Sequence, residues 1–116
     1  MIAQVARLCA VTVALPPLLT DFIRGVLTSR TNVERVVEMA VSPQLIERLQ
    51  ALDPCLVLIR ETSADSSLTI ATVAAALKRA RVVMLSHDGR FIWEAGEQRE
   101  LTADTLVGLL RERSTP

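Results

Sequence analysis

Four short strand-like runs recur along this chain, and between them the apolar residues switch to helical spacing. Arg7 to Leu15 is mostly apolar and rich in valine, as a strand buried on both faces is, Cys55 to Ile59 is the most hydrophobic and the expected central strand, and Val33 to Val41 and Arg81 to Leu85 also read as strands. Pro17 opens a helical pattern at its first turn, and Leu18, Leu19, Phe22, Ile23, Val26 and Leu27 form its stripe. Ser42-Pro43 has the form of an N-cap hydroxyl followed by a first-turn proline. Leu45, Ile46, Leu49 and Leu52 continue that helix, and Asp53-Pro54 ends it. Leu68 to Ala80 carries a third stripe, with Ile70, Val73, Ala74 and Leu77 expected to face inward. Strands alternating with helices in this way predict a mainly parallel sheet covered on both faces.

After the fourth run the rhythm changes. His87-Asp88-Gly89-Arg90 is a tight-turn signal, and Phe91 to Glu94 is strand-like. A parallel crossover needs about a dozen residues or more, so this strand should run antiparallel to the fourth. Phe91 and Trp93 then fall on one side of the strand, Ile92 and Glu94 on the other. Ala95 to Gln98 is expected to turn the chain again. Thr102 caps a last helix with Leu106, Val107, Leu109 and Leu110 as its stripe.

The 116 residues form a single expected domain, 1–116, long enough to bury a core without metals or disulfides. Thirteen basic and thirteen acidic side chains cancel, and no basic stripe stands out. A phosphate-backbone binder shows such a surplus, so nucleic acid is not an expected partner. Cys9 and Cys55 lie inside apolar runs and are expected to be reduced core residues, the rival being a disulfide between neighbouring strands. Leu8 to Leu19 is apolar, but Pro16-Pro17 interrupts it and no small-residue cleavage pattern follows. No stretch approaches the ~18 apolar residues of a membrane span. A cytoplasmic protein without membrane contact is the expectation.

The order of elements resembles the receiver domain of two-component response regulators. Val33 to Glu61 carries the likeness most closely, with Leu49-Gln50-Ala51-Leu52-Asp53-Pro54 before a Leu-Val-Leu-Ile strand. Leu15 to Leu27 is similar to the family's first helix. The resemblance implies a three-layer, flavodoxin-like α/β sheet of order 2-1-3-4-5, here with an antiparallel edge hairpin in place of the fourth helix. It also implies where the family's chemistry would sit. The magnesium-holding acidic pair aligns with Ala14 and Leu15, and the phosphoacceptor aspartate with Arg60. The lysine after strand five has no counterpart, and Ser86 alone keeps the family's residue type. A guanidinium is no carboxylate nucleophile and repels a metal ion. The chain therefore resembles a pseudo-receiver that works without phosphorylation.

Arg60 has several readings: contact with a partner's acidic group, an internal ion-pair anchor, an electrostatic mimic of a locked signalling state, or a strand-end arginine paired with Glu61 or Asp65 or simply solvated. Ser86-His87-Asp88 holds the residue types of a hydrolase triad, but consecutive side chains diverge and form no relay. Phe91 and Trp93 are either an interface anchor near a sheet edge or a cover for the core beneath the last helix. The four glycines form no phosphate-binding loop after strand one.

From these residues, catalysis, metal and cofactor are not expected. The expected function is a non-catalytic signalling or protein-interaction module acting by binding, as a homodimer or with another signalling protein. The alternative is a sensor of a small anionic ligand at the carboxyl ends of the strands.

Overall fold

The structure is a computed structural model describing residues 8–60, 66–94 and 97–113. β1 (Leu8–Val13), α1 (Pro17–Arg30), β2 (Val33–Met39), α2 (Leu45–Leu52), β3 (Leu56–Arg60), α3 (Ser66–Ala76) and β4 (Arg81–Leu85) alternate as expected. They are followed by β5 (Phe91–Glu94), β6 (Glu97–Glu100) and α4 (Ala103–Arg113). The strands form one sheet of order β2-β1-β3-β4-β5-β6. β1 pairs in parallel with β2 and β3, and β3 with β4, whereas β4–β5 and β5–β6 are antiparallel.

Each sheet face carries its own core. One joins Ala10, Leu56, Leu58, Val83, Leu85 and Ile92 to Ile23 and Leu27 of α1 and to Leu106 and Leu109 of α4. The other joins Val11, Val13, Val57 and Ile59 to Leu45 and Leu49 of α2, Val73 of α3, and Leu77. These are three layers, with β1 and β3 buried along nearly their whole length. Continuous apolar runs are what such two-sided burial requires.

Local chemistry sets the ends of the helices. Pro17 occupies the first turn of α1, where its missing N–H costs nothing. Asp53 takes a left-handed conformation (φ 48°) and closes α2, with its N–H on the Leu49 carbonyl. At α4 the Thr105 N–H donates to Thr102 Oγ1 at 3.1 Å and the Thr102 N–H to Thr105 Oγ1 at 2.8 Å, a reciprocal cap. Thr12 and Thr20, both buried, meet hydroxyl to hydroxyl at 3.3 Å between β1 and α1. A buried hydroxyl needs such a partner, and this one fixes α1 over the end of β1.

Several sequence expectations are corrected. The sheet has a sixth strand, so β5 is not its edge and its backbone is paired on both sides. Glu97-Gln98-Arg99-Glu100 has no strand-like composition: all four side chains are exposed, and the segment pairs with β5 along its backbone. α2 starts at Leu45 rather than at Ser42-Pro43, because Pro43 and Gln44 form a turn closed by the Leu45 N–H on the Ser42 carbonyl. β2 ends at Met39, leaving Val41 exposed. α3 ends at Ala76, with Ala74 exposed. In α1, Leu18 and Phe22 point outward, and Thr20 takes the buried place in their stead.

Candidate functional site

Helix α1 leaves β1 through Ala14, Leu15 and Pro16, while β3 ends at Arg60 and β4 hands over to a tight turn. These three chain segments meet at the carboxyl rim of the sheet. The connections that leave β1 and β3 diverge to opposite faces, α1 to one and α3 to the other. Ligand crevices form at such switch points in open α/β sheets.

The turn is built by Ser86. Its N–H donates to the Phe91 carbonyl, and its own carbonyl accepts from the Gly89 N–H, both at 2.9 Å. Ser86 Oγ donates to Asp88 Oδ1 at 2.7 Å and accepts from the backbone N–H groups of Arg90 (3.2 Å) and Phe91 (3.1 Å). Asp88 Oδ1 also accepts the Arg90 N–H at 3.1 Å. The Ser86 hydroxyl, followed by the Arg90 N–H, holds the Asp88 carboxyl below its ordinary value. Gly89 has φ +74°, and a Cβ there would lie 3.0 Å from Leu19 Cδ2. The turn therefore rests on α1, and only glycine fits easily at the point of contact.

Arg60 is fixed from below and above. Its Cα pairs with Leu85, and its Nε donates to the His87 carbonyl at 3.0 Å. Strand alternation puts it on the α1 side of the sheet, two residues after Leu58. Among the described residues its Nη atoms have no hydrogen-bond partner. Glu61 and Asp65, the expected ion-pair partners, lie outside the described residues.

A cleft of about 530 Å³ opens here. One wall is Pro16 with Leu18, Leu19 and Phe22 of α1, the other is His87, Asp88 and Gly89 of the turn, and Arg60 lies between them. Leu18 is 84% exposed and Phe22 44%. The volume falls within the roughly 300–1,000 Å³ typical of small-molecule sites.

The residues aligned with the receiver pocket fare differently. Arg60 lines the cleft, but Ser86 does not, since its hydroxyl is spent on the turn. Ala14 and Leu15 stand beneath the rim, packed against the two separate cores. Ala14 sits at φ 62° with its N–H on the Met39 carbonyl, an uncommon conformation for alanine. The outward-facing Leu18 and Phe22 were hidden in the helical stripe, because periodicity alone does not say which stripe members a sheet covers. Among the described residues no cluster of three or more His, Cys, Asp or Glu is arranged to hold a metal, and no helix is long and apolar enough to cross a membrane.

Phe91 and Trp93 lie elsewhere. Ile92 is the β5 residue that packs under α4, so these two occupy the opposite sheet face and do not cover the core beneath the last helix. Trp93 stands across from Met84 and Gln98, and Phe91 across from Glu100. Arg90 lies over the Phe91 ring at 5.9 Å. α3 packs on β3 and β4, and Trp93 remains 40% exposed.

Comparison of this chain with family models, curated proteins and solved structures returns no match.

Proposed function

We propose that this chain is a non-catalytic protein-interaction module, a pseudo-receiver with a flavodoxin-like sheet, that acts by binding a second copy of itself. The observation that carries this reading is the half-open apolar sheet surface of Met84, Phe91 and Trp93, on the side where a fourth helix would lie in a receiver. Exposed aromatics backed by a rigid sheet are the usual anchors of protein interfaces.

A second copy suits this surface. The molecule is neutral, so two copies meet without long-range repulsion. The patch carries both a cation, Arg90 over the Phe91 ring, and an anion, Glu100 across from Phe91, so it has no single-sign charge to repel a second copy. Growth through the sheet edge is opposed instead: β6 presents Glu97, Arg99 and Glu100, with Arg99 and Glu97 paired at 3.3 Å. Arg60 at the position of a receiver's phosphoacceptor supports a role without phosphoryl chemistry.

Light scattering across a concentration series tests the reading. A concentration-dependent dimer that Trp93→Ser reduces to monomer supports it. A wild-type protein that stays monomeric at high concentration overturns the homodimer.

A further inference from the structure

The cleft at the carboxyl rim has a chemistry of its own, separate from the Trp93 surface. It combines one well-placed cation with an apolar wall that folding leaves in water. Arg60 is held by β3 pairing and by the His87 carbonyl, so its guanidinium is oriented before anything binds. With Nε engaged and no partner on either Nη among the described residues, the edge carrying both Nη atoms is the part that receives an anion. Guanidinium edges match carboxylates in geometry. Opposite stand Leu18 and Phe22, one helical turn apart on α1, with Leu19 and Pro16 beside them.

Asp88 also lines the cleft as an exposed carboxylate, so its charge acts against an anion only through the screening of water. Its Oδ1 is turned into the loop, where Ser86 Oγ and the Arg90 N–H hold it. Among the described lining residues no second Arg or Lys joins Arg60, so a single negative charge is what the cleft can neutralise. A phosphate dianion would want more donors than this.

We propose that the cleft binds an amphipathic carboxylate, with its single charge on Arg60 and its apolar body along Leu18, Leu19 and Phe22. Octanoate is the probe, compared with 1-octanol, acetate and inorganic phosphate by calorimetry and by amide chemical shifts in the NMR spectrum of the whole chain. Octanoate should shift the amides of Leu18, Phe22, Arg60 and Gly89. It should bind at least about tenfold more tightly than octanol, as expected for loss of one charge-assisted contact. Acetate and phosphate should bind weakly, lacking the body or exceeding the charge. Arg60→Gln should bring octanoate down to the level of octanol. Leu18→Glu, at a position too exposed for the fold to depend on it, should abolish octanoate binding even if the Arg60 variant folds poorly. Equal affinity for octanoate and octanol, tighter binding of phosphate, octanoate binding unchanged in both variants, or shifts gathered around Trp93 would each overturn the proposal. Dimerisation is tested separately, by light scattering of the Trp93 variant, so failure of the cleft proposal leaves that reading standing.

Discussion

Arg81, the first residue of β4, clasps the carboxylate of Glu94, the last residue of β5, through both Nε and Nη2. Its Nη1 donates to the Leu109 carbonyl of α4 at 2.7 Å. One half-buried side chain thus ties the hairpin that follows the parallel strands to the helix that closes the fold. Removing one partner leaves the other charge poorly solvated, so Arg81→Met should destabilise by about 2 kcal/mol, between exposed and fully buried pairs. The double variant Arg81→Met/Glu94→Leu should recover part of the loss. Urea denaturation of the four members of the cycle measures the coupling.

The two sides of β5 should respond in opposite ways. Ile92 is almost wholly buried under α4, and Ile92→Ala should cost about 2–4 kcal/mol from lost burial and a cavity. Trp93→Ser should change monomer stability far less while weakening self-association. Denaturation and light scattering on the same two proteins separate the effects, and a large stability loss at Trp93 with none at Ile92 would reverse the sidedness of the strand.

Gly89→Ala should destabilise by about 1–2 kcal/mol, from positive φ and from crowding on Leu19 Cδ2. Once the loss of core packing in Leu19→Ala alone is subtracted, adding Leu19→Ala should return only the crowding part, because the backbone cost remains. Thermal melts of the four members of this cycle make the comparison. Gly89→Asn, which accepts the left-handed region, should be milder than Gly89→Ala.

Asp88 has a depressed folded-state pKa, caused first by the Ser86 hydroxyl and then by the Arg90 N–H. The carboxylate form is therefore favoured by folding. Its stabilising effect is present above the ordinary aspartate range and is lost as pH falls through the folded value. Carboxyl NMR titration should give a midpoint below that of an unfolded peptide. Ser86→Ala should raise the midpoint, and an unchanged value would remove the hydroxyl as its cause.

Acetyl phosphate with magnesium should leave no acid-labile adduct, since β3 ends in a guanidinium and not a carboxylate. Intact-mass spectrometry at low temperature is the check. A stoichiometric addition of one phosphoryl group would contradict the pseudo-receiver reading.

Much of the frame was legible in the residues. β1 and β3 announced themselves because a strand buried on both faces must be apolar throughout, β2 and β4 by their valines between helical stretches, and Gly89 with Asp88 marked the turn after them. The antiparallel sense of β5 followed from a connection too short for a crossover. β6 carried no such mark, since four exposed polar residues look the same in a strand or a loop. The rival disulfide was likewise undecidable by composition. The Cys55 N–H donates to the Cys9 carbonyl at 2.8 Å, yet their side chains enter opposite cores and neither is in a disulfide.

The sequence by itself determined the alternation of elements, the short reversal after β4 and the presence of arginine at the end of β3, because periodicity, loop length and residue charge are local properties. Only the tertiary structure decided that Leu18 and Phe22 face water, that Ser86 serves the turn and not the cleft, and that Trp93 lies away from α4. Those outcomes depend on which face of each element the sheet covers, and covering is settled by segments distant in the chain.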